Sequence, residues 1–197
     1  MSRIGNKVIQ IPQGARVEFN NSQVTVTGAN GTLTQEIKPP ITVTVDGTSV
    51  RVQRPNDEAS TKALHGLYNK LIQNMVAGVT TGFTKTLILN GVGYKAALKG
   101  ENLSLALGMS HSCEVKAEPG VKFKVCTPQE VQALNLGKEG ISAVIQVSGA
   151  SREKVGAMAS KIRDLRRVEP YHLYGIRYSD ERIQRKESKS GAKGKKK

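Results

Sequence analysis

The chain contains no tryptophan, and aromatic residues make up only 4% of its 197 positions. So thin an aromatic supply argues against a large aromatic-lined ligand cavity. Cysteine is as scarce, with Cys113 and Cys126 the two present. Two thiols make neither a disulfide framework nor a zinc set, which takes about four ligands, so a reducing compartment is the default expectation. No apolar run approaches the ~20 residues of a membrane span. The opening Met1-Ser2-Arg3-Ile4-Gly5-Asn6-Lys7 lacks the apolar core of a secretory signal. Acids are few as well, 16 against 30 Lys and Arg, for a net charge of +14. These shortages point away from secreted, membrane-spanning and disulfide-stapled classes.

Motifs of catalysis are missing too. His65, His111 and His172 lie far apart, and none forms an HxH or HExxH pattern. His65 reads as a helix-surface or packing residue. There is no GxSxG elbow and no GxxxxGK[ST] phosphate loop. Gly91-Val92-Gly93 lacks the third glycine and the helix of a dinucleotide site, and reads as a tight turn or close backbone approach. The cysteines read as small buried apolar residues. No catalytic residue, metal, cofactor, membrane partner or small-molecule substrate is expected.

What is present is an ordered pattern. Hydrophobic residues reach 38%, enough for a core that is thin or divided. Val24 and Val26, Leu33 and Ile37, Ile41 to Val45, then Val50 and Val52 alternate with polar residues, the period of half-buried strands. Asn20-Asn21, Ala29-Asn30-Gly31, Pro39-Pro40 and Asp46-Gly47 supply the turns between them. After Pro55 the period changes. Leu64, Leu67, Tyr68, Leu71, Met75 and Val76 recur at helical spacing, predicting a helix over 57–77 with Asn56 or Asp57 as cap and Gly78 as stop.

The second half repeats this order. Thr84–Leu89, Tyr94–Leu98, Leu103–Leu107, Val115, Val121 to Val125 and Ala143–Val147 read as strands, and Ser151 to Leu165 as a helix. Val24-x-Val26-x-Gly28 aligns with Leu103-x-Leu105-x-Leu107, and Pro40-Ile41-x-Val43-x-Val45 with Pro119 to Val125, at an offset of 79–80 residues. Thr127–Gly140 reads as an insertion in the second copy. The expected fold is therefore α+β: a tandem duplication of two similar small domains, each an antiparallel-rich sheet packed with one helix, plus a basic C-terminal tail. The expected boundaries are 1–81, 82–168 with the insertion at about 127–140, and 169–197.

The charge is uneven. Arg182, Arg185, Lys186, Lys189, Lys193, Lys195, Lys196 and Lys197 face one acid, Glu187, so sixteen residues hold half of the net charge. From Glu187 onward there is no large apolar residue, and that stretch is expected to be disordered when free. A solubilising tail is the plain reading, but the body is basic too, which favours a nucleic-acid partner. Arg152, Arg163 and Arg167 are spaced to line one flank of the second helix. Arg163 to Arg167, with Arg166 among them, leads into Tyr171, His172, Tyr174, Arg177 and Tyr178. Three of the five tyrosines fall in this stretch. Arginine offers phosphates a rigid fork of donors, and tyrosine offers bases a face to stack on, a combination suited to irregular RNA. These groups, with Lys95 and the tail, are the candidate RNA-binding residues. The surface from Glu58 to Asn74 is less basic, so the first domain is expected to touch less RNA.

Several blocks carry a resemblance. Ser2-Arg3-Ile4-Gly5-x-Lys7 with Ile9-x-Ile11-Pro12 comes first. His65-Gly66, Asn74-Met75-Val76-x-Gly78-Val79 and Gly82-Phe83 follow. Then come Gly91-Val92-Gly93-Tyr94-Lys95-Ala96 and Leu103-x-Leu105-x-Leu107-Gly108-x-Ser110-His111. Glu169-Pro170-Tyr171, Gly175-Ile176-Arg177-Tyr178 and Arg185-Lys186 close the series. In order and spacing the chain resembles the bacterial-type large-subunit ribosomal protein six family along almost its whole length. The resemblance implies two similar α+β domains, binding to large-subunit rRNA beside neighbouring ribosomal proteins, a place near the docking region of translational GTPases, and no catalytic role. It implies a ribosome in a bacterial cytoplasm or an organelle. His172-Leu173-Tyr174 stand where that family usually carries Lys-Gly-Lys, which removes two fixed charges. Arg166-Arg167 stand where a proline pair is usual and restore charge nearby. A free-standing RNA-binding or RNA-chaperone module is the alternative that the basic tail also fits.

Overall fold

The computed structural model describes residues 4–133 and 140–187. The chain divides into two compact units, Met1–Phe83 with Gly149–Arg152, and Thr84–Ser148 with Glu153–Lys197.

The first unit runs β1 (Ile9–Gln10), β2 (Arg16–Asn20), β3 (Gln23–Gly28), β4 (Gly31–Glu36), β5 (Thr42–Asp46), β6 (Ser49–Gln53) and α1 (Ala59–Thr80). The strands form two antiparallel three-stranded sheets, β2-β3-β4 and β1-β6-β5. Three of the expected turns fall at hairpin ends, and the fourth, Pro39-Pro40, carries the chain from β4 in one sheet to β5 in the other. Asn21 and Ser22 take φ of 48° and 61°, the left-handed pair that joins β2 to β3 without splaying them. Alternation sends Val24, Val26, Val43, Val50 and Val52 inward. Tyr68, Ile72, Met75, Val76 and Val79 of α1 meet them, spaced so that one helical face is apolar.

Helix α1 departs from the expected ends at both termini. Asp57 does not cap it, because its carboxylate is taken by the Arg54 guanidinium at 2.8 Å. Glu58 stands at the cap without a side-chain hydrogen bond. Gly78 does not stop it either. A Cβ there would collide with the Ala150 carbonyl oxygen, so this glycine serves a close approach inside the helix. The stop is Gly82, whose φ of +75° and N–H bond to the Ala77 carbonyl close the last turn. Asn30, from the β3–β4 turn, donates Nδ2 to the Thr80 carbonyl at 3.0 Å.

Among the described residues of this unit three polar side chains are buried, Thr61, His65 and Asn69. His65 is a packing residue but a buried one. Its Nδ1 accepts from Arg54 Nη1 at 2.8 Å, because guanidinium only donates. Nε2 therefore carries the proton and donates to the Val52 carbonyl at 2.9 Å. Asn69 Nδ2 donates to the carbonyls of Gly5 and Lys7 at 2.9 and 2.8 Å. Together they fasten the N-terminal segment to α1.

The second unit repeats the plan. It runs β7 (Phe83–Asn90), β8 (Lys95–Lys99), β9 (Asn102–Ala106), β10 (Cys113–Val115), β11 (Val121–Val125), α2 (Pro128–Ala133), β12 (Ile141–Gly149), α3 (Arg152–Leu165) and β13 (Gly175–Tyr178). Six strands and a long helix recur in the same order. β3 and β9, the strands aligned in sequence, are each the middle of a three-stranded sheet. The other sheet is β11-β12-β7-β13, and its apolar face packs against Val155, Met158, Ala159 and Ile162 of α3. Each repeat thus splits its strands into two sheets.

Two features of the second unit differ from the sequence reading. The stretch from 169 does not begin a separate arm, since Gly175–Tyr178 pairs antiparallel with β7, Ile176 opposite Leu89. Within the insertion, α2 starts on a capping box. Thr127 N–H donates to Glu130 Oε2 at 2.9 Å, and Lys124 also grips Glu130. Residues 134–139 of that insertion lie outside the described residues.

Candidate nucleic-acid interface

Helix α3 turns its apolar stripe to the core, which leaves its bases on the other faces. Leu165 is its last residue. The chain then returns beside β13: the Arg166 carbonyl accepts the Ile176 N–H at 2.8 Å, and Arg167 bridges Ile176 in parallel. Arg152, Arg163 and Arg167 therefore do not share a flank. Arg167 lies past the end of the helix, its Nε on Asp164 at 3.0 Å. Arg152 belongs to the first unit, where Nη1 donates to Asn74 at 3.3 Å and the guanidinium lies 5.8 Å over the Phe83 ring.

Arg163 turns to Glu181. Its Nε and Nη2 reach the two carboxylate oxygens at 2.9 and 2.5 Å, a fork-on-fork pair. The two side chains are only 30% and 26% exposed, so water screens them little. The Arg163 hydrogen bond holds the Glu181 carboxyl below the usual carboxylate range, with the Tyr178 N–H adding to it against burial. Glu181 in turn keeps Arg163 more firmly protonated. Arg177 Nη1 donates to the Glu181 backbone carbonyl at 3.4 Å. The Tyr178 ring lies 5.8 Å from the Arg163 guanidinium and 5.5 Å from the Lys85 ammonium. Arg163, Arg177 and Tyr178 are thus gathered around Glu181 and order the chain there.

The outer layer comes next in sequence. Glu169 N–H donates to the Tyr174 carbonyl at 3.0 Å, closing the loop between them. Its carboxylate accepts the His172 N–H at 2.5 Å and sits 3.1 Å from His172 Nδ1. The His172 and Tyr174 rings stack, centroids 5.5 Å apart and planes 21° from parallel. Arg185 Nε donates to the Tyr171 carbonyl at 3.1 Å, and Lys186 N–H to the Pro170 carbonyl at 2.9 Å. These bonds fold Arg185 and Lys186 back beside Tyr171. Arg166, Arg167, Tyr171, His172, Tyr174, Arg182, Arg185 and Lys186 are all exposed. A shallow groove of about 350 Å³ runs past Leu173, Arg177, Asp180, Arg182 and Ile183.

Lys95 stands elsewhere. It is exposed at the start of β8, in the sheet that does not carry β13. The turn before it folds Gly91 and Gly108 against the Tyr94 ring, where Cβ atoms would approach to 2.8 and 3.1 Å. Lys189, Lys193, Lys195, Lys196 and Lys197 lie outside the described residues. The sequence reading missed Glu169, Glu181 and Asn90, whose Nδ2 donates to the Leu173 carbonyl at 3.1 Å. An acid such as Glu181 standing just before a run of bases is the one local sign of such a clasp. Among the described residues no helix is long and apolar enough to cross a membrane, and no group of His, Cys, Asp and Glu is placed to hold a metal ion.

The fold defines a class: a tandem α+β protein, here with exposed arginines and tyrosines gathered on its C-terminal segment. The model of the family described as ribosomal protein L6 matches twice, over residues 11–82 and 90–179. This chain belongs to the ribosomal protein L6 family. It is 45% identical over 196 residues to the large ribosomal subunit protein uL6 of Carboxydothermus hydrogenoformans, covering 100% of both chains. Identity to that of Streptococcus gordonii is 44% over 191 residues, 97% of this chain and 99% of the relative. For Chloroherpeton thalassium it is 44% over 193 residues, 98% and 100%.

Proposed function

We propose that this chain is a structural constituent of the large ribosomal subunit, binding large-subunit rRNA chiefly through its second repeat and C-terminal segment. The relatives named as large-subunit proteins match over nearly the whole chain, which supports the ribosomal setting. The observation that carries the RNA contact is the exposure of Arg166, Arg182, Arg185 and Lys186 with Tyr171 and Tyr174, on a segment that the Arg163–Glu181 clasp helps to order. Folding gains little from leaving four cations and two rings in water, whereas a phosphate backbone is attracted to them. Such contacts set affinity and register, not sequence choice. The sequence beyond Glu187 adds five more lysines to the cations available for RNA. Neighbouring ribosomal proteins are further partners, and a position near the docking region of translational GTPases follows from the family resemblance. The chain's role in this reading is architectural, with no reaction of its own.

Co-sedimentation tests it. The protein is expected in stoichiometric amounts with large subunits washed at moderate salt. Its absence from them, or sub-stoichiometric recovery with bulk RNA, overturns the proposal.

A further inference from the structure

We propose that the stacked His172–Tyr174 pair is a landing platform for one unpaired RNA base, a contact that deepens the rRNA-binding reading and rests on it. The platform is built before any ligand arrives. Each of the three residues 172–174 is pinned by a group outside the triplet: His172 by Glu169, Leu173 by Asn90 Nδ2, and Tyr174 by the Glu169 N–H. Leu173 takes a φ of +63°, a backbone state that side-chain-bearing residues rarely adopt. That reversal lets its two neighbours bring their rings face to face. Preorganisation of this kind lowers the ordering cost of binding.

The rings stack at an offset, and Tyr174 remains 40% exposed and the His172 side chain 68% exposed. A broad ring face left in water serves stacking better than it serves folding. Its surroundings select the kind of partner. Leu173, between the two rings, lines a groove with Arg177, Arg182, Asp180 and Glu181; Glu181 is taken up by Arg163 and Asp180 faces Lys85, which leaves the exposed Arg182 as the groove's cation for a phosphate. An apolar protein segment has no use for that charge. A base inside a duplex has both faces covered by its neighbours, so the acceptor is unpaired. Stacking uses the ring face rather than base edges, so the platform tolerates any of the four bases.

The test uses the full-length protein and a transcript of the large-subunit rRNA, with Tyr174→Ala and Tyr174→Phe variants. Affinity is measured together with two footprints, one read by base-directed reagents and one by backbone cleavage. Tyr174→Ala is expected to weaken binding about tenfold. It should expose one unpaired base while the backbone footprint and salt slope stay as in the wild type. Tyr174→Phe keeps the ring and is expected to behave as wild type. Unchanged affinity and protections in Tyr174→Ala overturn the inference. So does a newly exposed base that lies in a duplex, or a uniform loss of all protections with a lowered melting temperature. A wild-type protein that leaves no footprint at all overturns the RNA-binding reading itself, which is a separate result.

Discussion

The Glu181 carboxylate gathers Arg163, Arg177 and Tyr178 on the C-terminal segment, and its removal has a calculable direction. Its pKa is depressed in the folded state, chiefly by Arg163. A depressed acid contributes stability above its unfolded-state pKa and loses that contribution as pH falls through the folded-state value. Glu181→Gln is expected to cost about 1 kcal/mol at neutral pH, at the upper end for a partly exposed pair. The difference from wild type should shrink toward zero in acid, as thermal melts across pH would show. Gly5 offers a second test. A Cβ there would strike the His65 ring, which two hydrogen bonds hold in place. Gly5→Ala is expected to destabilise by about 1–3 kcal/mol in denaturant melts. Neither effect was legible from local spacing, because Arg163 and Glu181 are 18 residues apart and Gly5 and His65 are 60 apart. Arginines and tyrosines crowded into one stretch announce a charged, ring-rich surface. That Arg163 turns inward is decided by an acid that only tertiary closure brings to it.

At the scale of elements, α1 carries the sharpest prediction. Gly→Ala inside a helix ordinarily stabilises by about 1 kcal/mol. At Gly78 the added methyl meets the Ala150 carbonyl, so the sign is expected to reverse, with a lower melting temperature for Gly78→Ala. A rise in melting temperature would contradict the close approach. The same residue illustrates how far the sequence carries. The alternating runs that became β3, β5, β6, β9 and β11, and the apolar stripes of α1 and α3, are periodic and long enough to read. β1 is two residues long and has no period to detect. β2 alternates Val17 and Phe19 inward, but its charged and polar partners left too weak a pattern. β13 is four residues whose arginine and tyrosine suggested a ligand before they suggested a sheet. A glycine read as a stop proved to be a packing glycine, since sequence alone does not separate the two reasons for lacking a side chain.

For the whole molecule, charge sets the behaviour that solution experiments see. If roughly six cationic groups neutralise phosphates, log K for rRNA falls against log salt with a slope of about −4 to −5. Truncation after Glu181 removes eight bases but leaves β13 and the Arg163 clasp. That variant is expected to melt within a few degrees of the full chain. Its salt slope should flatten by about one unit for every phosphate that the missing bases would have neutralised. The duplication carries a consequence in time as well as space. β7 opens the second repeat, and its hydrogen-bonded neighbour β13 is the last to be translated among the described strands. A nascent chain can therefore complete the first repeat while synthesis continues, but the second keeps a raw edge on β7 until Gly175–Tyr178 has been made. Stalled or prematurely terminated products should be the ones that clump, and quality control would meet them as half-finished repeats.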